Sequence, residues 1–332
     1  MKRKSFRRFG TFTILALIFM GSYSCKEQKK EEQKLVEVEA MSEAKPFFSL
    51  SLAQWSMHRM IREAGADPYS FAQKAKNWGF SGLEYVSQLY ATELEASGYS
   101  QEAMDSFVQR SNEEAQKHGL TNVLIMIDGE GDLSQSDSKK RQEAVENHYK
   151  WVDAAAALGC HSIRVNLSGS NDPEEWTANS VQGLSALATY AKDKGINILV
   201  ENHGGLSSNA ALLAKVMETV NMDNCGTLPD FGNFCIRRKV PDDYSKGCAE
   251  QYDFYQGVKE LMPHAKAVSA KSHDFDADGN ETEIDYVKML EIVKSAGYTG
   301  FIGVEYEGNK LSEEEGIIAT KNLLLSAAKN LP

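Results

Sequence analysis

The sequence of 332 residues predicts an α/β protein, a single (β/α)8 barrel of the TIM-barrel type over residues 46–332. Eight short β-prone runs alternate with eight longer amphipathic segments, and a glycine recurs where such a segment passes into the next run. Alternating strands and helices form parallel sheets with right-handed crossovers. Eight such units in about 285 residues suit a closed barrel.

The predicted strands are short, rich in apolar residues and regularly spaced, as expected of strands buried on both faces. They are Phe47–Trp55, Gly82–Val86, Asn122–Ile127, Ser162–Asn166, Ile196–Glu201, Cys225–Pro229, Ala265–Ala270 and Gly300–Glu305. The predicted helices between them are Tyr69–Trp78, Gln101–His118, Arg141–Leu158, Leu184–Lys194, Ala210–Val220, Tyr252–Leu261, Tyr286–Ala296 and Glu314–Ala328.

A common pattern marks five passages from helix to strand: NWGFSGLE, KHGLTNVL, ALGCHSIR, DKGINILV and SAGYTGFI. In each, glycine stands where a helix ends in the left-handed conformation, and a buried parallel strand follows. An open, doubly wound sheet is the alternative architecture. Because no glycine-rich phosphate-binding turn follows any of the runs, the pattern favours the closed barrel.

The N-terminal segment differs from the rest of the chain. A basic start (residues 2–8) precedes an apolar stretch (residues 12–20) too short to span a bilayer, and small residues lead to Cys25. This order predicts a signal peptide of residues 1–24 and lipidation of Cys25, as in bacterial lipoproteins, with plain secretion or an uncleaved anchor as alternatives. Residues 25–45 predict a charged, flexible tether. We therefore expect an exported, periplasmic or outer-membrane-associated protein whose membrane contact is the lipid anchor.

Composition and cysteine content restrict the class of protein. Hydrophobic residues make up 42% and charged residues 25% of the chain, a globular balance. The net charge of −11 argues against a nucleic-acid partner, because phosphate binding requires a basic face. Disulfides persist outside the cytoplasm. Since Cys235 and Cys248 flank a polar segment, we expect them to staple that loop, and we expect Cys160 and Cys225 to be buried thiols.

Polar residues stand where the predicted strands end. Catalytic residues of such barrels lie there, because eight loops converge on one mouth. The candidates are Gln54, Trp55, His58, Glu84, Asp128, Glu130, Arg164, Asn166, Glu201, Asn202, His203, Asp230, Asn233, Lys271, His273, Glu305 and Glu307.

Three of these candidates are carboxylates expected to point at one spot. Glu201, Asp230 and Glu305 end the fifth, sixth and eighth strands, and like charges so close repel unless a cation holds them. With an imidazole from His203 or His273 they would form an oxygen-rich site with one nitrogen. Such a site suits Mn²⁺, Mg²⁺ or Zn²⁺.

The segments ILVENHGG, GTLPDFGNF, AVSAKSHDFD and GFIGVEYEG resemble the xylose-isomerase-like sugar phosphate isomerase/epimerase superfamily. The resemblance covers nearly the whole chain from residue 47. It implies a divalent metal held by Glu, Asp, His and Glu on the fifth to eighth strands, with the two Glu residues moving protons beside the substrate carbonyl. Carried over residue by residue, it implies metal binding by Glu201, Asp230 and Glu305 and acid/base catalysis by Glu201 and Glu305.

The seventh strand departs from the family pattern. Many relatives read His-x-Lys-Asp there, whereas this chain reads Ser-Ala-Lys-Ser at residues 269–272, and His273 comes four residues late. His203 lies two residues after Glu201, hence on the same strand face, and is expected either to complete the metal site or to contact the substrate. Loss of the metal is the alternative.

Three further candidates each have two possible roles. Arg164 is expected to bind a substrate hydroxyl or phosphate, or to pair with Glu84 or Glu201. Lys271 is expected to polarise the carbonyl or to neutralise the carboxylates. Trp55 is expected to be a packed rim residue or a platform for a sugar ring. The predicted substrate-binding set is Arg164, Asn166, Glu84, Trp55, Asn233 and His273.

Two classes of function follow. The first is a metal-dependent sugar isomerase or epimerase that removes a proton α to a sugar carbonyl, with Glu201 as base, the metal and Lys271 on the oxygen, and Glu305 as the second acid/base. Because export is expected, a lyase or hydratase acting on keto-glycosides competes with it. The second class is a non-catalytic carbohydrate-binding lipoprotein. In each case the expected partner is a small carbohydrate.

Overall fold

The computed structural model describes residues 45–241, 243 and 246–331. The strands in this part of the chain, in order, are β1 (Ser49–Ala53), β2 (Gly82–Val86), β3 (Thr121–Met126), β4 (Ser162–Val165), β5 (Asn197–Glu201), β6 (Cys225–Leu228), β7 (Cys235–Arg238), β8 (Cys248–Gln251), β9 (Val268–Ser272) and β10 (Phe301–Tyr306). Each of the eight predicted runs overlaps one strand of the main sheet.

The main sheet is a parallel barrel. Its strands follow the order β6-β5-β4-β3-β2-β1-β10-β9, and every neighbouring pair is parallel. Between β6 and β9 the backbone N–H of Phe231 donates to the carbonyl of Ser269, and the N–H of Ser269 donates to that of Pro229, both at 3.0 Å. These bonds join the two ends of the sheet, and the predicted (β/α)8 barrel is confirmed.

Helices separate the barrel strands. They are α1 (His58–Arg62), α2 (Phe71–Asn77), α3 (Ala91–Ala96), α4 (Gln101–His118), α5 (Ser138–Leu158), α6 (Pro173–Lys192), α7 (Ala210–Val220), α8 (Phe254–Leu261), α9 (Tyr286–Ser295) and α10 (Glu313–Lys329). The sixth begins at Pro173 rather than at the predicted Leu184. The side chain of Asp172 accepts the backbone N–H groups of Glu174 and Glu175, and proline is suited to the first helical position.

The helix-to-strand junctions contain the expected left-handed glycines. Gly119 (φ 64°) ends α4, and Gly159 (φ 74°) ends α5. Each donates its N–H back to the last turn of its helix, and the chain then enters β3 or β4. Glycine adopts this conformation without the steric penalty of a Cβ atom, so the repeated pattern marks these turns correctly.

A two-stranded hairpin follows β6. Strands β7 and β8 pair in antiparallel register, and Cys235 and Cys248 form a disulfide with their Cα atoms 5.7 Å apart. The predicted staple is therefore confirmed. Cys160 is a buried free thiol, as expected, and Cys225 is a free thiol that is partly buried.

Reducing this disulfide should lower the free energy of unfolding by about 3 kcal/mol, because closing a loop of this size restricts the unfolded chain to that extent. The two cysteines are 13 residues apart. Urea unfolding with and without a reductant measures the difference, and the double variant Cys235→Ser/Cys248→Ser should be insensitive to the reductant. Equal stability of the oxidised and reduced wild type would show that the hairpin unfolds separately from the barrel.

The predicted signal peptide, Cys25 and the tether up to residue 44 lie outside the described residues. Within the described part of the chain, no helix has both the length and the apolar character needed to cross a membrane.

Candidate active site

Three buried carboxylates meet at the mouth of the barrel. Glu201 is the last residue of β5, Asp230 follows β6, and Glu305 lies near the end of β10. One carboxylate oxygen of each lies within 4.8 Å of those of the other two. Parallel strand ends meet at one rim of the barrel, so residues far apart in sequence converge there. The predicted convergence of the three side chains is present in the structure.

Asp230 is held by hydrogen bonds on both oxygens. Its Oδ1 accepts the backbone N–H groups of Gly232 and Asn233, each at 2.8 Å, and its Oδ2 accepts the Ser269 hydroxyl at 2.6 Å. The same hydroxyl lies 3.1 Å from Glu305 Oε2. A serine of β9 thus bridges two of the three acids, at the position where the resemblance in sequence implied a histidine.

Ser269 was assigned no function from the sequence. A signal existed, because Ser269 lies two residues before Lys271, and alternate residues of a strand share one face. Since Lys271 was expected to contact the carboxylates, Ser269 on the same face of β9 could have been expected to contact them as well.

Lys271 provides a buried positive charge beside the acids, and its side chain is only 1% exposed. Its Nζ lies 3.5 Å from Glu305 Oε1, 3.9 Å from Asp230 Oδ2 and 3.3 Å from Glu307 Oε1. Burial alone would lower the pKa of Lys271, but the surrounding carboxylates outweigh burial and hold this pKa well above its usual range. The ammonium therefore partly neutralises the cluster, one of the two predicted roles.

Arg164 connects the cluster to the loop after β3. Its Nε lies 2.9 Å from Glu201 Oε2, and its Nη1 donates to Asp128 Oδ1 at 2.9 Å. Asn166 donates through Nδ2 to the same Asp128 oxygen at 2.8 Å. Of the two expected partners of Arg164, the ion pair forms with Glu201 rather than with Glu84. Asp128 is a second carboxylate partner that the sequence did not identify.

The cluster carries more negative than positive charge. Burial raises the pKa of Glu305 to about 8, with Lys271 opposing and Glu201 reinforcing the shift. Burial also raises the pKa of Asp230, and Glu201 again reinforces this shift. Lys271 and Arg164 therefore do not fully offset the acids, and the site favours uptake of protons or of a cation.

The two histidines lie outside the carboxylate group formed by the described residues, and both are exposed. β5 ends at Glu201, so the strand alternation behind the expectation for His203 stops there. The chain turns there, and Gly204 has a positive φ of 90°. Among the described residues, neither histidine joins the three carboxylates as a potential ligand, and a role for His203 or His273 in binding metal or substrate stays a prediction.

Asn233 and Trp55, both predicted to bind substrate, lie just after barrel strands β6 and β1. Asn233 donates through Nδ2 to Glu201 Oε1 at 3.0 Å and so positions that carboxylate. Trp55 is half-buried. Its ring stacks on His58 with centroids 4.6 Å apart, and the Arg62 guanidinium lies 4.8 Å from the centre of the Trp55 ring. These neighbours pack Trp55 into the rim.

Glu84 lies in β2 inside the barrel, and its carboxyl group is buried. Ser51 donates its hydroxyl to Glu84 Oε1 at 2.5 Å, and a side chain at Gly303 would collide with the Glu84 carboxyl group. Burial raises the pKa of Glu84 to about 7, although the Ser51 hydrogen bond opposes the shift. Glu84 therefore lies below the rim, because Tyr85 and Val86 follow it within the strand, and its contact with a substrate stays a prediction.

This buried acid predicts a pH-dependent stability. The folded protein keeps the Glu84 proton up to a pH of about 7, whereas the unfolded chain releases it near 4.5. Protonated Glu84 therefore contributes fully to stability at low pH. The free energy of unfolding falls by about 3 kcal/mol as the pH rises from 4.5 to 7. Urea unfolding across this range should show a shallower decline for Glu84→Gln than for the wild type. Parallel curves for the two proteins would contradict the assignment.

Comparisons with known proteins agree with this fold. The xylose isomerase-like TIM barrel family matches residues 72–326. No curated protein sequence matches the chain significantly. Among solved structures, a D-tagatose 3-epimerase-like protein superposes with a TM-score of 0.62 at 17% identity, over 84% of this chain and 97% of its own. The 3-keto-D-glucoside 4-epimerase YcjR from E. coli superposes with a TM-score of 0.61 at 12% identity, over 85% and 100%.

A third solved structure, the IolI protein with a bound zinc atom, superposes with a TM-score of 0.61 at 16% identity, over 85% of this chain and 98% of its own. At such low identities these similarities show a shared fold. The family match spans most of the barrel. The chain therefore belongs to the xylose isomerase-like TIM barrel family.

Proposed function

We propose that the protein is a divalent-metal-dependent sugar isomerase or epimerase that removes a proton from the carbon next to a sugar carbonyl. The observation that carries this proposal is the meeting of Glu201, Asp230 and Glu305 in one buried group at the barrel mouth. Solved structures of the same fold are named as epimerases of tagatose type and of 3-keto-glucosides. A base and an acid on opposite sides of one carbon are the minimum for this chemistry.

The donor atoms fit a hard cation. Oxygens bound to one ion lie about 2.0–2.6 Å from it. The three carboxylate oxygens lie within 4.8 Å of one another, so one ion can contact all three. Within the described residues no histidine or cysteine joins this group. The available donors are oxygens, including the Ser269 hydroxyl, which favours Mg²⁺ or Mn²⁺ over Zn²⁺.

Glu201, Asp230 and Glu305 would hold the ion, which would polarise the substrate carbonyl when bound. Arg164 and Asn233 orient the Glu201 carboxylate, and in this proposal Glu201 removes the proton. Glu305, the other glutamate of the group, is proposed as the second acid/base, which returns a proton to the substrate. The Lys271 ammonium offsets negative charge on the neighbouring oxygens.

A lyase or hydratase acting on keto-glycosides would begin with the same proton removal and then lose or add a group two carbons away. The similarity in fold to a 3-keto-glucoside epimerase favours keto-glycosides as the substrates to test for either outcome. Loss of the glycosidic group would identify a lyase, and an inverted carbon an epimerase. Binding without any proton exchange would identify the non-catalytic carbohydrate-binding protein.

The test is solvent exchange. Protein purified without chelator is incubated with 3-keto-glucose or 3-keto-trehalose in D₂O, and deuterium at the carbons next to the carbonyl is followed by NMR. We expect exchange that a chelator removes and that Mn²⁺ or Mg²⁺ restores, together with bound metal by elemental analysis. Absence of exchange after loading with each metal would refute the proposed activity.

We also propose that the protein is exported and anchored by lipid at Cys25. The basic, apolar and small residues before Cys25 and the charged segment after it support this. Cys25→Ser should release the protein from the membrane fraction into the soluble fraction, as measured by fractionation and immunoblotting, because the acyl chains supply the affinity for the membrane. Cys225→Ser serves as the control. Unchanged fractionation of Cys25→Ser would contradict lipid anchoring.

A further inference from the structure

A cavity opens on one side of the barrel mouth. Its volume is about 280 Å³, and its walls include Arg62, Ser87, Gln88, Glu95, Tyr99 and Asp128. These residues follow β1, β2 and β3, so the cavity lies on the mouth side of the barrel. None of them except Asp128 belongs to the network around Glu201 described above.

Asp128 joins this cavity to the proposed reaction centre. It lines the cavity and accepts a hydrogen bond from Arg164 at 2.9 Å, while Arg164 Nε lies 2.9 Å from Glu201 Oε2. A single guanidinium group therefore separates the cavity wall from the proposed base. A molecule that extends from the carboxylate cluster past Arg164 would enter the cavity.

The lining matches a neutral polyhydroxylated ring. Arg62 donates to Gln88 Oε1 at 2.7 Å and packs against the Trp55 ring, so its guanidinium is positioned from two sides. Glu95 and Asp128 supply acceptors, and Arg62 and Gln88 supply donors, the combination that sugar hydroxyls can satisfy. The negative charges of Glu95 and Asp128 disfavour a phosphate group, because phosphate is bound by positively charged side chains.

The remaining wall and the size agree with one sugar ring. Tyr99 has a left-handed backbone (φ 55°), and its ring contacts Trp151 edge-on with centroids 6.2 Å apart and lies 4.6 Å from Lys150 Nζ. These contacts hold an aromatic face in place at the cavity. A volume of about 280 Å³ leaves room for a single sugar ring.

We propose that this cavity binds a second sugar ring, so that the substrate is a keto-sugar in glycosidic linkage to another sugar rather than a free monosaccharide. The inference rests on the proposed function for the position of the reacting ring. It assigns Gln88 and Glu95 as residues that determine specificity through hydrogen bonds to the second ring.

Isothermal calorimetry with 3-keto-glucose and 3-keto-trehalose tests this inference, using the full-length protein and Glu95→Ala and Gln88→Ala variants. Each variant removes one hydrogen-bonding group and should weaken binding of 3-keto-trehalose about 3- to 10-fold. Binding of 3-keto-glucose should not change. Glu95 is exposed, so its replacement leaves the packed core intact. Gln142→Ala, at an exposed position on α5, is the matched control.

Equal affinity of the wild type for the two sugars, or equal losses for both sugars in the variants, would overturn the inference. The binding measurement is independent of turnover. If the disaccharide depends on Gln88 and Glu95 but no deuterium exchange occurs, the proposed activity fails and the second-ring site stands. If exchange occurs with no preference for the disaccharide, the activity stands and the second-ring site fails.

Discussion

Replacing Lys271 by methionine should lower the free energy of unfolding by about 3–5 kcal/mol at pH 8 and above, because removal of one partner leaves buried charges uncompensated. The Lys271 ammonium lies within 4 Å of Asp230, Glu305 and Glu307 and is almost fully buried. Methionine has a similar length and preserves packing, so the loss reports on charge. Urea unfolding monitored by circular dichroism measures it.

A control variant and the pH dependence of the loss test this expectation. Lys139→Met removes an exposed ammonium 3.9 Å from Glu143 and should change stability by less than about 0.5 kcal/mol. The loss in Lys271→Met should shrink as the pH is lowered through the raised pKa of Glu305, about 8, because protonation removes the uncompensated charge. A Lys271→Met protein as stable as Lys139→Met at pH 8 would show that the ammonium does not stabilise the cluster.

Replacing Glu201 by glutamine should reduce proton exchange from the keto-sugar by about 10²- to 10⁴-fold, the usual contribution of a positioned base. Glutamine retains the shape of the side chain and an acceptor for Asn233, which lies 3.0 Å from Glu201 Oε1. Arg164 keeps its hydrogen bond to Asp128, so we expect the fold to survive. The measurement is the rate of deuterium incorporation at saturating sugar, with binding followed separately.

Glu143→Gln, on an exposed part of α5, provides the same chemical change away from the mouth and should exchange at the wild-type rate. Asp230→Asn should instead lower the metal content, because Asp230 is proposed as a ligand. If Glu201→Gln retained wild-type exchange while Glu305→Gln lost it, the proton would be removed by Glu305 and the assigned roles would be reversed.

Much of the fold was predictable from local sequence signals. Glycines such as Gly119 and Gly159 mark helix ends because only they adopt the left-handed conformation without strain. The start of α6 at Pro173 was missed, since the first turns of that helix lack a clear apolar stripe and are set by the Asp172 cap. Strand and helix alternation then determined the barrel, because parallel neighbours require crossovers.

The three acids were also predictable, because the barrel brings strand ends together regardless of the distance along the chain. Their partners were not. The sequence suggested Glu84 and Glu201 as partners of Arg164. The structure pairs Arg164 with Glu201 and with Asp128. His203 was expected to lie beside Glu201, but β5 ends at Glu201 and the alternation stops there.

Sequence patterns were sufficient to predict the barrel, the five marked helix-to-strand turns and the rim that receives Glu201, Asp230 and Glu305. These depend on local conformational preferences and on a topology that has a single mouth. The three-dimensional packing was needed to show that Ser269 bridges two of the acids and that Lys271 is buried among them. Such contacts depend on the length of each strand and on its register with its neighbours, and long-range packing sets both.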